Sequence, residues 1–119
     1  MYIQGYLLAV PTKNKETYAK MAKEASDMFK NYGATEMVEA WEVDVKDGKH
    51  TDFRMATKAE KDESIVFSWI IWPDKETCDA AEKKMEEEYD PEKFGEMPFD
   101  GKRMMWGGFS PVFTFGRDD

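Results

Sequence analysis

The chain reads as one α+β domain: strand, helix, strand, strand, helix, strand, with an antiparallel sheet and both long helices on one of its faces. Three observations predict this. Residues 14–32 repeat apolar side chains at helical spacing. The segments on either side alternate or run apolar as strands do, and proline and glycine fall between them. Finally, 119 residues is the size of a single domain, residues 1–119, long enough to bury a core without staples.

Taken in order, Tyr2 to Val10 is apolar and aromatic, stops at Pro11, and reads as an interior strand. Tyr18, Met21, Ala22, Ala25, Met28, Phe29 and Tyr32 then line one face of an amphipathic helix, with Lys15, Glu16, Lys20, Lys23 and Glu24 mostly off it. Thr12 or Asn14 can cap its start, and Gly33 stands where a C′ glycine belongs. Thr35 to Val45 alternates as a second strand, with Met37, Glu39, Trp41, Val43 and Val45 on one face, before a turn at residues 46–49.

Residues 51–59 fit either a strand or a short helix capped by Asp52. The short helix is preferred, because an extra strand there would make the flanking strands parallel. Ser64 to Trp72 is a buried strand, apolar on nearly both faces and ended by Pro73. Asp74 caps a second helix striped by Cys78, Ala81, Met85 and Tyr89 and ended at Asp90-Pro91. A loop over residues 90–102 leads to a last strand from Arg103 to Phe109, with a possible extension to Phe115, and Arg117 begins a polar tail. This is the ferredoxin-like βαββαβ order. A sheet with helices on one face and a third strand apolar on both needs a cover for the other face, and a second copy of the chain is the simplest one.

The net charge of −8 works against a broad nucleic-acid footprint and against anionic membranes. One cysteine excludes a disulfide framework and fits a reducing compartment. No signal-like N-terminus and no apolar run long enough to span a bilayer is read, so the expected location is cytoplasmic.

His50 is the single histidine, in a turn, and reads as an exposed loop residue. No metal site follows from it, and no metal or cofactor is expected. Cys78 lies on the apolar stripe and reads as structural, not nucleophilic. Asp100, Lys102 and Arg103 sit together before the last strand. They can hold an anionic group, or form an ion pair that pins the loop. Asp52 and Arg54 invite the same two readings. Trp41, Trp69, Trp72 and Trp106 fall on strands and suit either a core or an aromatic-lined cavity. Trp41 and Trp69 are expected on one face of a hairpin, with Glu39 sharing the parity of Trp41 as a carboxylate whose pKa burial would raise. Gly107-Gly108 lacks phosphate-loop spacing and reads as close strand approach.

The segments TDFRMATKAE (51–60), VFSWIIWP (66–73) and MPFDGKRMMWGGF (97–109) resemble those of the DUF1428 family across essentially the whole chain. The resemblance implies a dimeric α+β barrel, in which two ferredoxin-like subunits press their sheets together; activity does not transfer by fold. The expected function is binding of a small aromatic or acidic metabolite by a homodimer. Trp41, Trp69 and Trp106 would be walls, and Arg54, Lys102 and Arg103 anchors. Any catalysis would be cofactor-free, with Glu39 or Asp100 moving protons. The alternative is a non-enzymatic dimeric stress or interaction protein whose motifs are structural, and an RNA-associated role is the remote one.

Overall fold

A computed structural model describes residues 1–89 and 97–117. Strands β1 (Tyr2–Pro11), β2 (Glu36–Trp41), β3 (Glu63–Trp72) and β4 (Met105–Phe109) are joined by helices α1 (Lys15–Asn31), α2 (Phe53–Thr57) and α3 (Lys75–Glu87). They form one four-stranded sheet in the order β2-β3-β1-β4, with every neighbouring pair antiparallel. Among the described residues, no helix is long and apolar enough to cross a membrane.

β1 and β3 pair over ten residues, from Tyr2 opposite Trp72 to Pro11 opposite Glu63. Side chains alternate across a strand. The even-numbered residues Leu8, Val10, Val66, Ile70 and Trp72 therefore face α1 and α3, where they form the core with Tyr18, Cys78 and Ala81. The odd-numbered Ile3, Leu7, Phe67, Trp69 and Ile71 face the other way. Trp72 is fully buried and donates its indole N–H to Gln4 at 2.8 Å. That bond offsets the loss of water from the indole N–H of a large amphipathic ring at the centre of the core.

α1 ends in a Schellman motif: Gly33 N–H reaches Lys30 O and Ala34 N–H reaches Phe29 O, with Gly33 at φ +109°. Its start differs from expectation. A 3₁₀ turn over Thr12–Asn14 precedes it, and neither side chain caps it. Thr12 instead bonds Ser64, and the Asn14 amide donates to Pro98 O. Asp52 and Asp74 do cap α2 and α3, accepting from Met55 N–H and Thr77 N–H at 2.7 Å each. Residues 51–59 thus hold the short helix.

Three boundaries move. β2 stops at Trp41, not Val45, because the Glu42 carboxylate accepts the Ile65 N–H and so ends the ladder. Val43 is 97% exposed, and the connection runs on to Asp52 without a tight turn at residues 46–49. β4 starts at Met105, since Gly101–Arg103 is a 3₁₀ turn, and it ends at Phe109, two residues before Pro111, which has no N–H to extend a ladder. Tyr89 lies past the end of α3 and is exposed. The Asp90-Pro91 stop and the last two tail residues fall outside the described residues.

Gly33 admits a direct check. A Cβ there would lie 2.8 Å from Thr77 Cγ2, in a left-handed conformation. Gly33→Ala is expected to destabilise the fold by more than about 1 kcal/mol, read as a lower urea midpoint at unchanged slope.

Candidate functional site

The C-terminal loop converges on Arg103. Its guanidinium donates to both oxygens of Glu63 at 2.7 Å, to Asp100 Oδ2 at 3.0 Å and to Lys58 O at 2.9 Å. Glu63 is buried, and the hydrogen bonds from Arg103 hold its carboxyl below the ordinary carboxylate value. Asp100 also accepts the Lys102 N–H, and it too is held low, first by Arg103. A carboxylate so stabilised in its charged form is a poor proton carrier at neutral pH. The Lys102 side chain lies exposed.

Arg54 joins the same node from α2. It donates to Glu63 O at 3.0 Å and to Glu60 O at 2.5 Å, and it lies 3.5 Å from Glu42. It does not turn to Asp52, whose carboxylate accepts Gly48 and Met55 N–H groups. Both arginines are thus occupied in tying α2, the start of β3 and the loop before β4 together. This is the geometry of a pinned loop.

The other face of the sheet is different. An open apolar groove of about 740 Å³ runs along it, lined by Ile3, Leu7, Phe67, Trp69, Met105 and Phe109 and by the tail residues Phe113 and Phe115. Phe53 of α2 meets Phe67 edge-on, and Phe67 meets Trp69, at centroid separations of 6.3 and 5.9 Å. Trp69 donates its indole N–H to Glu36 at 2.7 Å, and Arg117 grips both oxygens of Glu36 at 2.9–3.0 Å. That pair ties the tail to β2 beside the groove. Phe67, Phe109, Phe113 and Phe115 remain 50%, 59%, 81% and 92% exposed.

Trp41 and Trp69 do not share a face. Trp41 stands opposite Val66 and Val38 opposite Trp69, so the register puts Trp41 on the helix side and Trp69 on the groove side. Trp41 packs beside Tyr18, with Lys15 Nζ 5.7 Å from its ring centre. Glu39 does share the side of Trp41. It accepts the Tyr18 hydroxyl at 2.7 Å, and burial pushes its carboxyl up, opposed by hydrogen bonds from Tyr18 and Ser68. Trp106 is on β4 opposite Tyr6 and is 64% exposed. Cys78 is buried, and that burial pushes its thiol up to about 11, which suits a core residue and not a nucleophile. His50 is exposed.

Sequence reasoning missed Glu36, Glu63 and the role of Arg117. Each works through a partner at least 33 residues away, beyond the reach of any local pattern. Residues 1–101 match the family described as "Protein of unknown function (DUF1428)". The chain belongs to this family. It is 53% identical over 112 residues to the protein YbaA of Escherichia coli (strain K12), covering 93% of this chain and 96% of that one. The same figures hold for YbaA of Shigella flexneri. The match of the DUF1428 family spans β1 through α3 and stops before β4, so one wall of the groove lies beyond it.

Removing Arg103 strips the buried Glu63 carboxylate of its bidentate ion pair and leaves it the Glu60 N–H at 2.7 Å, so Arg103→Ala is expected to cost about 3 kcal/mol. Glu63 has a lowered folded pKa. Its contribution is therefore full above the ordinary value of 4.5 and is lost as pH falls through the lowered value. The stability gap between wild type and variant, measured by urea denaturation, should be widest near neutral pH and narrow in acid.

Proposed function

We propose that the chain works as a homodimer of ferredoxin-like subunits joined through their open sheet faces, and that it binds a small aromatic molecule in the apolar space this face encloses. The groove is the observation that carries the reading. Its volume of about 740 Å³ falls within the range of small-molecule pockets, roughly 300–1,000 Å³. The strand order β2-β3-β1-β4, with the long helices on one face, is the arrangement a ferredoxin-like fold takes and supports the subunit reading.

Surface arithmetic supports the dimer. The four exposed phenylalanines present nearly three whole side chains' worth of area. At roughly 150–250 Å² per aromatic that is about 400–700 Å², against about 800 Å² per partner in a standard interface. Met105 and Val112 add to it. The chain carries a charge of −8, yet Arg117, the one charged side chain among the described residues that line the groove, is bound to Glu36. Two such faces can meet without charge repulsion.

The same feature narrows the ligand. Arg54 and Arg103 are held by other partners away from the groove, and Arg117 is held by Glu36. The walls favour an aromatic compound over an acidic one.

Native mass spectrometry of freshly purified protein tests both halves. A dimer carrying a discrete extra mass is the expected result; a bare dimer would remove the ligand, and a monomer would remove the shared face. Phe67→Glu places a charge at the centre of this face, where burying it unpaired costs several kcal/mol. It is expected to weaken self-association at least about a hundredfold by sedimentation velocity, with the helical circular dichroism unchanged.

A further inference from the structure

On its β2 side the open face of the sheet ends in a carboxylate. Glu36 stands opposite Ile71, which lines the groove, and directly opposed residues of antiparallel strands project to the same face. Arg117 donates to one Glu36 oxygen at 3.0 Å and to the other at 2.9 Å, and the second oxygen also accepts the Trp69 indole N–H at 2.7 Å. Trp69 and Arg117 both line the groove. An aromatic trough therefore leads to an anion, and that anion already holds a cation from the same chain.

The internal cation is weakly held. The Arg117 and Glu36 side chains are 41% and 33% exposed, and ion pairs open to solvent contribute little. The stretch before Arg117 adds few ties. Residues 112–116 make no hydrogen bond to any other described residue, and Val112, Phe113 and Phe115 are exposed. Withdrawing Arg117 thus uncovers the carboxylate without breaking a packed element. Hydrogen bonds from Arg117, and then from Trp69, hold the Glu36 carboxyl below its ordinary value. With the Trp69 bond retained, it stays ionised at neutral pH when the arginine leaves.

We propose that Glu36 is the polar end of the ligand site in the groove, that the ligand is an aromatic molecule bearing an ammonium or guanidinium group, and that Arg117 is the internal cation it displaces. This rests on the reading of the groove as a ligand site and adds the ligand's charge. The ligand's ring lies along Phe67 and Trp69, and its cationic group donates to Glu36. Ring faces attract positive charge, so the same walls that suit an aromatic body suit its cation. The net charge of −8 draws cations towards the chain and repels anions. An acidic ligand would reach Arg117 only by leaving Glu36 without its ion pair.

The test is a two-dimensional NMR titration of the intact protein that follows the Trp69 indole N–H. The probes are phenethylamine and phenethyl alcohol, which keeps the ring and spacer but lacks the charge. In the wild type the amine is expected to bind about tenfold tighter than the alcohol, the difference a charged hydrogen bond makes. Glu36→Gln should erase that preference. Arg117→Gln removes the competing cation and should tighten the amine about two- to fivefold, with the alcohol unchanged. An arginine that only fixed the tail would give the reverse, since its loss would open the groove and weaken both probes. Saturable alcohol binding with no preference for the amine would overturn the cation site and leave the groove standing. No saturable shift with either probe, in the wild type and in Arg117→Gln alike, would overturn both. Amine binding that appears only in Arg117→Gln supports the site, with Arg117 as its blocking occupant.

Discussion

The ten-residue pairing of β1 with β3 puts two strands without a polar face at the middle of the sheet. Apolar surface on both sides of a sheet has to be removed from water on both sides, at roughly 25 cal/mol for each Å². α1 and α3 cover the even-numbered side and bury Trp72, Val10 and Val66 almost completely. On the other side α2 and the tail reach only part of the way. Ile65 and Ile71 are buried there while Phe67 is half exposed. The groove is what this unequal covering leaves.

Charged side chains hold the covering segments in place. Arg103 and Arg54 converge on Glu63 at the first residue of β3, so the loop before β4 and the helix between β2 and β3 share one anchor. Lys58, at the end of α2, adopts a left-handed φ of 55° and offers its carbonyl to Arg103. A lysine there is uncommon and is held by what surrounds it. At the other end of β3, Glu36 joins Trp69 to Arg117 and draws the tail alongside the sheet. In both places a carboxylate on or beside a strand fixes a segment that has no ladder bonds of its own.

The sheet therefore separates two chemistries. Its open face is aromatic and has its charges paired. Its helix face is apolar apart from the buried Gln4, Ser64 and Ser68, and among the described residues no buried polar side-chain atom lacks a hydrogen-bond partner. The DUF1428 match includes Ile3, Leu7, Phe67 and Trp69 of the groove, whereas Met105, Phe109 and the tail residues lining it fall after the last matched residue.

Local pattern was enough for much of this. The stripe from Tyr18 to Tyr32, the glycine that ends α1, the Asp52 and Asp74 caps and the doubly apolar Ser64–Trp72 segment are all set by interactions within a few residues, and each was legible in the chain. Family membership was legible too, from three motifs in order. The sharing of Trp41 and Glu39 by one face followed from parity alone. That Trp69 takes the opposite face did not, because strand register is fixed by the pairing of distant segments and one step of register reverses every side chain. The ends of β2 and β4 depended on Glu42 and Asp100 accepting backbone N–H groups. The occupation of Arg103 and Arg54 depended on Glu63, and that of Arg117 on Glu36 across 81 residues. Sequence spacing carries no record of such partners, since they come together only when the sheet forms.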